Sequence, residues 1–124
     1  MVRVVLVEDN RLFRETIELL LGLREGIEVV GSVGGGAEAV ELCRALAPDV
    51  AVLDYRMPGL DGAQTAREVL RAAPGVRVIC LTASVSEAER ELVLASGALA
   101  CLTKDESLDR IVEAIVAIGN GSLP

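Results

Sequence analysis

Polar side chains able to do chemistry stand at the ends of four apolar runs. Glu8 and Asp9 follow Val2–Val7, Asp54 follows Leu53, Thr82 closes Val76–Leu81, and Lys104 follows Leu102-Thr103. A single acid in such a place can cap a helix or sit solvated in a loop, but several ends that meet make a site. Three converging carboxylates repel, since two unit charges about 4 Å apart interact by about 4 kcal/mol at an effective dielectric near ~20. Lys104 offers one compensating charge, and a divalent cation offers two. Ligands that are all oxygen, with no Cys or His, suit a hard ion, and Mg2+ accepts a few carboxylates while keeping waters and phosphate oxygens. With the Thr82 hydroxyl added, the set resembles a site for a phosphoryl group, where positioning and charge neutralisation do most of the work. A carboxylate there can act as nucleophile and form an acyl phosphate.

The elements that must position these groups show in the hydrophobic pattern. Apolar runs at Val2–Val7, Ile27–Val33, Asp49–Leu53, Val76–Thr82 and Ala98–Thr103 recur every 22 to 27 residues, room for one strand and one helix each. The first, third and fourth are nearly continuous Val, Ile and Leu, as in strands buried on both faces of a parallel sheet. The mixed Ile27-Glu28-Val29-Val30-Gly31 suits an edge. Between the runs lie helical stripes: Phe13, Ile17, Leu20 and Leu21; Val40, Cys43 and Ala47; Ala63, Ala66 and Leu70; and Leu108, Ile111, Val112, Ile115 and Ile118 behind a cap at Ser107. Ser86-Glu87-Ala88-Glu89 has the form of a capping box opening the fourth helix, which Gly97 would close. This alternation predicts an α/β fold: (βα)5, doubly wound and flavodoxin-like, with a five-stranded parallel sheet of order 2-1-3-4-5 and helices on both faces. In that order strands one and three are neighbours, so Glu8, Asp9 and Asp54 converge at the carboxyl ends, where such sheets place their functional groups.

Composition narrows the functions. The 124 residues suit one domain. A hydrophobic fraction of 52% and a mean hydropathy of +0.48 exclude a disordered tail. Phe13 and Tyr55 are the only aromatics, so the core must be aliphatic. A net charge of −7 argues against a nucleic-acid surface. Zero His excludes imidazole catalysis and His-ligated metal. Cys43, Cys80 and Cys101 lack CxxC spacing and read as small hydrophobes in a reducing compartment. No apolar run reaches the ~20 residues of a membrane span, and the N-terminal run is too short for a signal peptide. A cytoplasmic protein without membrane contact is expected.

Val7-Glu8-Asp9, the segment Leu53-Asp54-Tyr55-Arg56-Met57-Pro58-Gly59-Leu60-Asp61-Gly62, Leu81-Thr82-Ala83 and Leu102-Thr103-Lys104 together resemble the receiver domain of bacterial two-component response regulators. The resemblance runs over essentially the whole chain, 1–124, in order and spacing. Leu12-Phe13-Arg14-Glu15, Val30-Gly31, Gly97-Ala98, Lys104-Asp105 and the Gly119–Pro124 ending most resemble the NarL/FixJ branch. It implies a phosphorylation-dependent switch rather than an enzyme acting on outside substrates. Asp54 would accept a phosphoryl group from the phosphohistidine of a sensor histidine kinase. Glu8, Asp9, Asp54 and the backbone carbonyl of Arg56 would hold Mg2+, Lys104 would bind the phosphoryl oxygens, and Thr82 would turn inward to them. Ala83 would leave the aspartate accessible. The resemblance also implies a possible homodimer and an output domain, own or separate, to regulate transcription; a C-terminal helix-turn-helix of that kind is absent from this chain.

The chain departs from the family at Cys101, where a Tyr or Phe that moves with the threonine is usual. Asp105 replaces the proline of chemotaxis-type receivers. Arg56 occupies the position where the family tunes phosphoryl lifetime; its side chain either screens the phosphoryl group from water or lies on the surface. Other residues have structural readings: Asp61 as a cap for the third helix, Gly59 and Gly62 as backbone positions that a side chain would strain, and Gly34-Gly35-Gly36 as a flexible lead-in to the second helix. Two alternative functions follow from the same residues. An interaction module that is never phosphorylated conflicts with the intact acidic set, though Cys101 leaves room for it. An aspartate-nucleophile phosphohydrolase needs a general acid two residues after the nucleophile, where Arg56 cannot donate a proton at physiological pH.

Overall fold

Successive side chains of a strand point to opposite faces, and along β1 (Val2–Val7) both faces are apolar. Val4 and Leu6 join one core, Val5 and Val7 the other, and all four are buried. Such a strand needs a covering layer on each side, and the chain supplies two. The structure, a computed structural model, describes residues 1–121. The remaining elements are α1 (Arg11–Gly22), β2 (Ile27–Val33), α2 (Gly36–Leu46), β3 (Val50–Leu53), α3 (Gly62–Ala72), β4 (Arg77–Thr82), α4 (Glu87–Ala95), β5 (Ala98–Thr103) and α5 (Leu108–Gly119). The strands are parallel in the order β2-β1-β3-β4-β5, as the sequence predicts. Helices α1 and α5 cover one face through Ile17, Leu21, Ile111, Ile115 and Ile118. Helices α2, α3 and α4 cover the other through Ala39, Cys43, Ala63, Ala66, Val69 and Val93.

Local chemistry sets the helix starts. Asn10, Asp61, Ser86 and Ser107 each accept a bond from a first-turn N–H, and Asp61 and Ser86 form complete capping boxes with Gln64 and Glu89. The predicted caps at Asp61, Ser86 and Ser107 are therefore present. Gly97 follows α4 with φ +111°, and a Cβ there would come within 2.3 Å of Leu70 Cδ1.

Several details differ from the sequence reading. β3 starts at Val50 because the Asp49 side chain turns to accept from the Arg3 N–H at 2.8 Å. β4 starts at Arg77 because the Val76 N–H closes a turn on the Ala73 carbonyl. Leu20 lies on the flank of α1 and is exposed. Ala47 is no part of the α2 stripe; it is the helix's C-cap in the left-handed conformation, and Ala39 fills the inward position. Gly36 belongs to α2 rather than to a lead-in, and it is small because α3 lies against it: a Cβ would meet Thr65 Oγ1 at 2.3 Å and Leu60 Cβ at 2.9 Å. The Gly119–Pro124 ending, part of the resemblance to the NarL/FixJ branch, lies outside the described residues from position 122 onward.

Candidate functional site

The sheet's hydrogen bonding runs one step past the strand ends, and that step fixes the polar residues. Glu8 N–H donates to the Val33 carbonyl at 3.0 Å, Asp54 N–H to Val7 at 3.0 Å, and Lys104 N–H to Thr82 at 2.9 Å. Glu8, Asp9 and Asp54 consequently gather: carboxylate oxygens, one from each, all lie within 4.8 Å of one another. Glu8 and Asp54 are buried and Asp9 is exposed, so the group opens to solvent on the Asp9 side.

Lys104 reaches this group from the end of β5. Its ammonium donates to Glu8 Oε1 and, at 3.1 Å, to Asp54 Oδ2. Burial works against the Lys104 charge, yet the hydrogen bonds to the two carboxylates outweigh it and hold the pKa above its ordinary value. Burial, reinforced by the nearby Asp54 charge, lifts the Glu8 carboxyl above its usual range despite bonds from Lys104 and from the Asn10 N–H. One ammonium among three carboxylates leaves the cluster with excess negative charge.

Supporting contacts come from residues to which the sequence reading gave no part in the site. Arg14, from α1, donates to the Glu8 carbonyl at 2.6 Å. The Phe13 ring lies beside the Lys104 ammonium. The Asn10 cap could have been read from its place three residues before Phe13; Arg14 carries no comparable signal. Gly62 lies where the β3–α3 loop turns back on itself, and a Cβ there would come within 2.7 Å of Tyr55 Cα and 2.9 Å of the Asp54 carbonyl. Close approach is its requirement, whereas Gly59 has φ +79°.

Thr82 is buried at the end of β4, with its hydroxyl donating to the Ser84 carbonyl at 3.3 Å. Arg56 sits beside the cluster: its N–H contacts Asp54 Oδ1 at 3.4 Å, and its guanidinium binds Glu89 in α4. Of the two readings of the Arg56 side chain, this places it at the surface, 55% exposed. An open cleft of about 450 Å3 adjoins the cluster at Asp9 and is lined further by Tyr55, Arg56, Met57, Pro58, Asp61 and Glu89. The cysteines carry no disulfide; Cys43 and Cys80 are buried and burial pushes the Cys43 thiol up to about 11. Cys80 and Cys101 face each other across β4 and β5.

A parallel sheet of this order, with acids and a lysine meeting at its carboxyl edge, defines the receiver class of signalling domain. Residues 4–116 match the response regulator receiver domain, and the chain belongs to that family. It is 42% identical over 120 residues to NarL of Mycobacterium tuberculosis, which is named as a probable transcriptional regulatory protein; the match takes in 97% of this chain and 56% of that protein. It is 34% identical over 115 residues to the response regulator GacA of Pseudomonas aeruginosa, covering 93% of this chain and 54% of the relative. Among solved structures, the signal receiver domain of the response regulator NarL from Mycobacterium tuberculosis superposes with a TM-score of 0.90 at 42% identity, over 97% of both chains. The chain thus spans just over half the length of these curated relatives.

Proposed function

We propose that this receiver domain is a phosphorylation-dependent switch of a two-component system, and that Asp54 takes the phosphoryl group. The observation that carries this reading is the placement of one buried carboxylate, Asp54, between an ammonium at 3.1 Å and two further acids. A carboxylate oxygen of Asp54 attacks the phosphorus of a sensor kinase's phosphohistidine. The P–N bond breaks, its electron pair stays on the imidazole nitrogen, and an acyl phosphate remains. Lys104, already charged and aimed at Asp54, neutralises the incoming oxygens. Thr82 gives up the Ser84 carbonyl for a phosphoryl oxygen, coupling the modification to the β4–α4 loop.

The residues fit a magnesium ion: the donors are all oxygen, one side is open to water, and negative charge is in excess. Glu8, Asp9, Asp54 and the Arg56 carbonyl are the groups that would hold Mg2+, which supplies charge neutralisation for the transferring group. The chain's own residues orient the acceptor and read the product. Self-directed transfer, and hydrolysis of the acyl phosphate by water to the Asp54 carboxylate and inorganic phosphate, are the extent of the chemistry.

The output is a change in dimerisation or effector contact, through the α1 or α4–β5–α5 surfaces. In support, α1 exposes Leu12 and Leu19, its C-cap Leu23 is exposed beside them, and α4 and β5 expose Leu92 and Leu99. A sensor histidine kinase upstream, transcriptional output through an own or separate output domain, and a cytoplasmic location complete the proposal. The described residues contain no helix long and apolar enough to cross a membrane.

Intact mass spectrometry tests the central step. Acetyl phosphate with Mg2+ is expected to add one phosphoryl unit to the parent and none to Asp54→Asn. A parent of unchanged mass overturns the reading.

A further inference from the structure

We propose that Arg56 and Glu89 form a charge latch beside the phosphoacceptor, which the acyl phosphate opens by drawing the Arg56 guanidinium away from Glu89. The proposal rests on the assignment of Asp54 as the acceptor and adds a route by which its modification reaches α4.

The latch is a two-pronged pair. Arg56 Nη1 donates to Glu89 Oε2 at 3.1 Å and Nη2 to Oε1 at 2.7 Å, joining the loop after β3 to the first turn of α4. Arg56 is two residues from Asp54, with its N–H already 3.4 Å from Asp54 Oδ1, so its side chain is rooted beside the reacting carboxylate. Both partners line the same cleft, and Arg56 is the cation among the lining residues. In the unmodified site Lys104 bonds Glu8 and Asp54, the position from which it meets the phosphoryl oxygens.

Glu89 has a second duty. The same Oε1 that receives Arg56 also accepts the Ser86 N–H at 2.9 Å, while the Glu89 N–H donates to Ser86 Oγ at 3.1 Å. The capping box that starts α4 is therefore tied to the side chain of a residue whose backbone N–H contacts Asp54. The Ser86 N–H first, and Arg56 second, hold the Glu89 carboxyl below its usual range, so it is ionised and competent for both contacts.

Exchange of partners is favourable because the two anions are unequal. A phosphoryl group brings close to two negative charges and three acceptor oxygens, against one charge on Glu89. The resting pair is 55% and 27% exposed, and ion pairs in contact with water are weakly held. Once Arg56 turns to the phosphoryl oxygens it shields the phosphorus from water, and the α4 cap loses its charged brace. The two possible places of the Arg56 side chain, at the surface and over the phosphoryl group, are then the resting and modified states of one switch.

Hydrogen exchange at the α4 start, together with the rate of phosphoryl loss by intact mass, tests the latch. In the parent, phosphorylation is expected to speed exchange of the Glu89 and Arg90 N–H groups several-fold. Arg56→Gln should show that faster exchange without phosphorylation, gain little more on modification, and lose its phosphoryl group several-fold faster than the parent. Glu89→Gln, which frees Arg56 while keeping a capping side chain, should retain the phosphoryl group at least as long as the parent. A parent that gains the phosphoryl mass with α4 protection unchanged overturns the latch and leaves the acceptor assignment standing. An Arg56→Gln variant with parental phosphoryl lifetime overturns it as well. A parent that gains no mass overturns the acceptor assignment, and the opening of the latch with it.

Discussion

The Lys104 ammonium lies 4.2 Å from the centre of the Phe13 ring, within cation–π range. The contact links α1 to the end of β5 and gives the ammonium a third side beyond Glu8 and Asp54. Phe13→Leu keeps apolar bulk but removes the ring's negative face, and should cost about 1 kcal/mol. Urea denaturation of the single and double variants with Lys104→Met checks this. An equal cost of Phe13→Leu in both backgrounds would show that the ring does not act through Lys104.

Lys104→Met leaves two buried carboxylates without their cation. It should lower stability by about 3 kcal/mol, the lower end of what breaking a buried charge pair costs. Mg2+ should restore more of that loss than it adds to the parent, whose stabilisation at ten times the dissociation constant is roughly 1.4 kcal/mol. Titrating Mg2+ against the melting temperature, with EDTA as the reversal, gives both numbers. A smaller metal effect in Lys104→Met than in the parent would contradict the shared charge logic.

Lys104 also sets an alkaline limit. Its folded pKa lies above the ordinary 10.5, so between those values the native state keeps a proton that the unfolded chain releases. Stability from this group is complete below pH 10.5 and falls as pH rises through the folded value. Glu8 has the same sign at acid pH: its folded pKa is raised above 4.5, so its contribution is full below that pH and is lost as pH rises through the raised value. Denaturation midpoints across pH should show both declines, with Lys104→Met flattening the alkaline one and Glu8→Gln the acid one.

Thr65 is wholly buried against Gly36, and its hydroxyl has no hydrogen-bond partner among the described residues. Thr65→Val replaces an unsatisfied polar group by one of the same shape and should stabilise the fold by about 1 kcal/mol. Gly36→Ala, which drives a methyl into that hydroxyl and into Leu60 Cβ, should destabilise by about 1–3 kcal/mol. Thermal melts decide both; a lower melting temperature for Thr65→Val would mean that the hydroxyl is satisfied in solution.

Much of this molecule can be read from one line of letters because a doubly covered parallel sheet leaves strong marks. Strands buried on both faces read as unbroken Val, Ile and Leu, so Glu8, Asp54 and Lys104 announce the places where the chain leaves the core. Capping chemistry is equally local, which is why Asp61, Ser86 and Ser107 were visible. The misreadings have local causes too: Ala47 has the right spacing for the α2 stripe, yet the helix has already ended in a left-handed cap. What could not be read are contacts across sequence distance. Nothing near Arg56 points to Glu89, 33 residues on, and nothing near Gly36 points to Thr65. The hydroxyl of Thr82 is a further case, since its rotamer, and so its bond to Ser84, is set by the loop around it.

Tyr55 follows Asp54 directly, is buried, has the Arg56 guanidinium 5.9 Å from its ring, and is the single tyrosine in a chain without tryptophan. The domain's tyrosine emission therefore originates one peptide bond from the proposed phosphoacceptor. Any change that the proposed switch makes around Tyr55 is open to observation on unlabelled protein, with no background from another tyrosine or a tryptophan in these 124 residues.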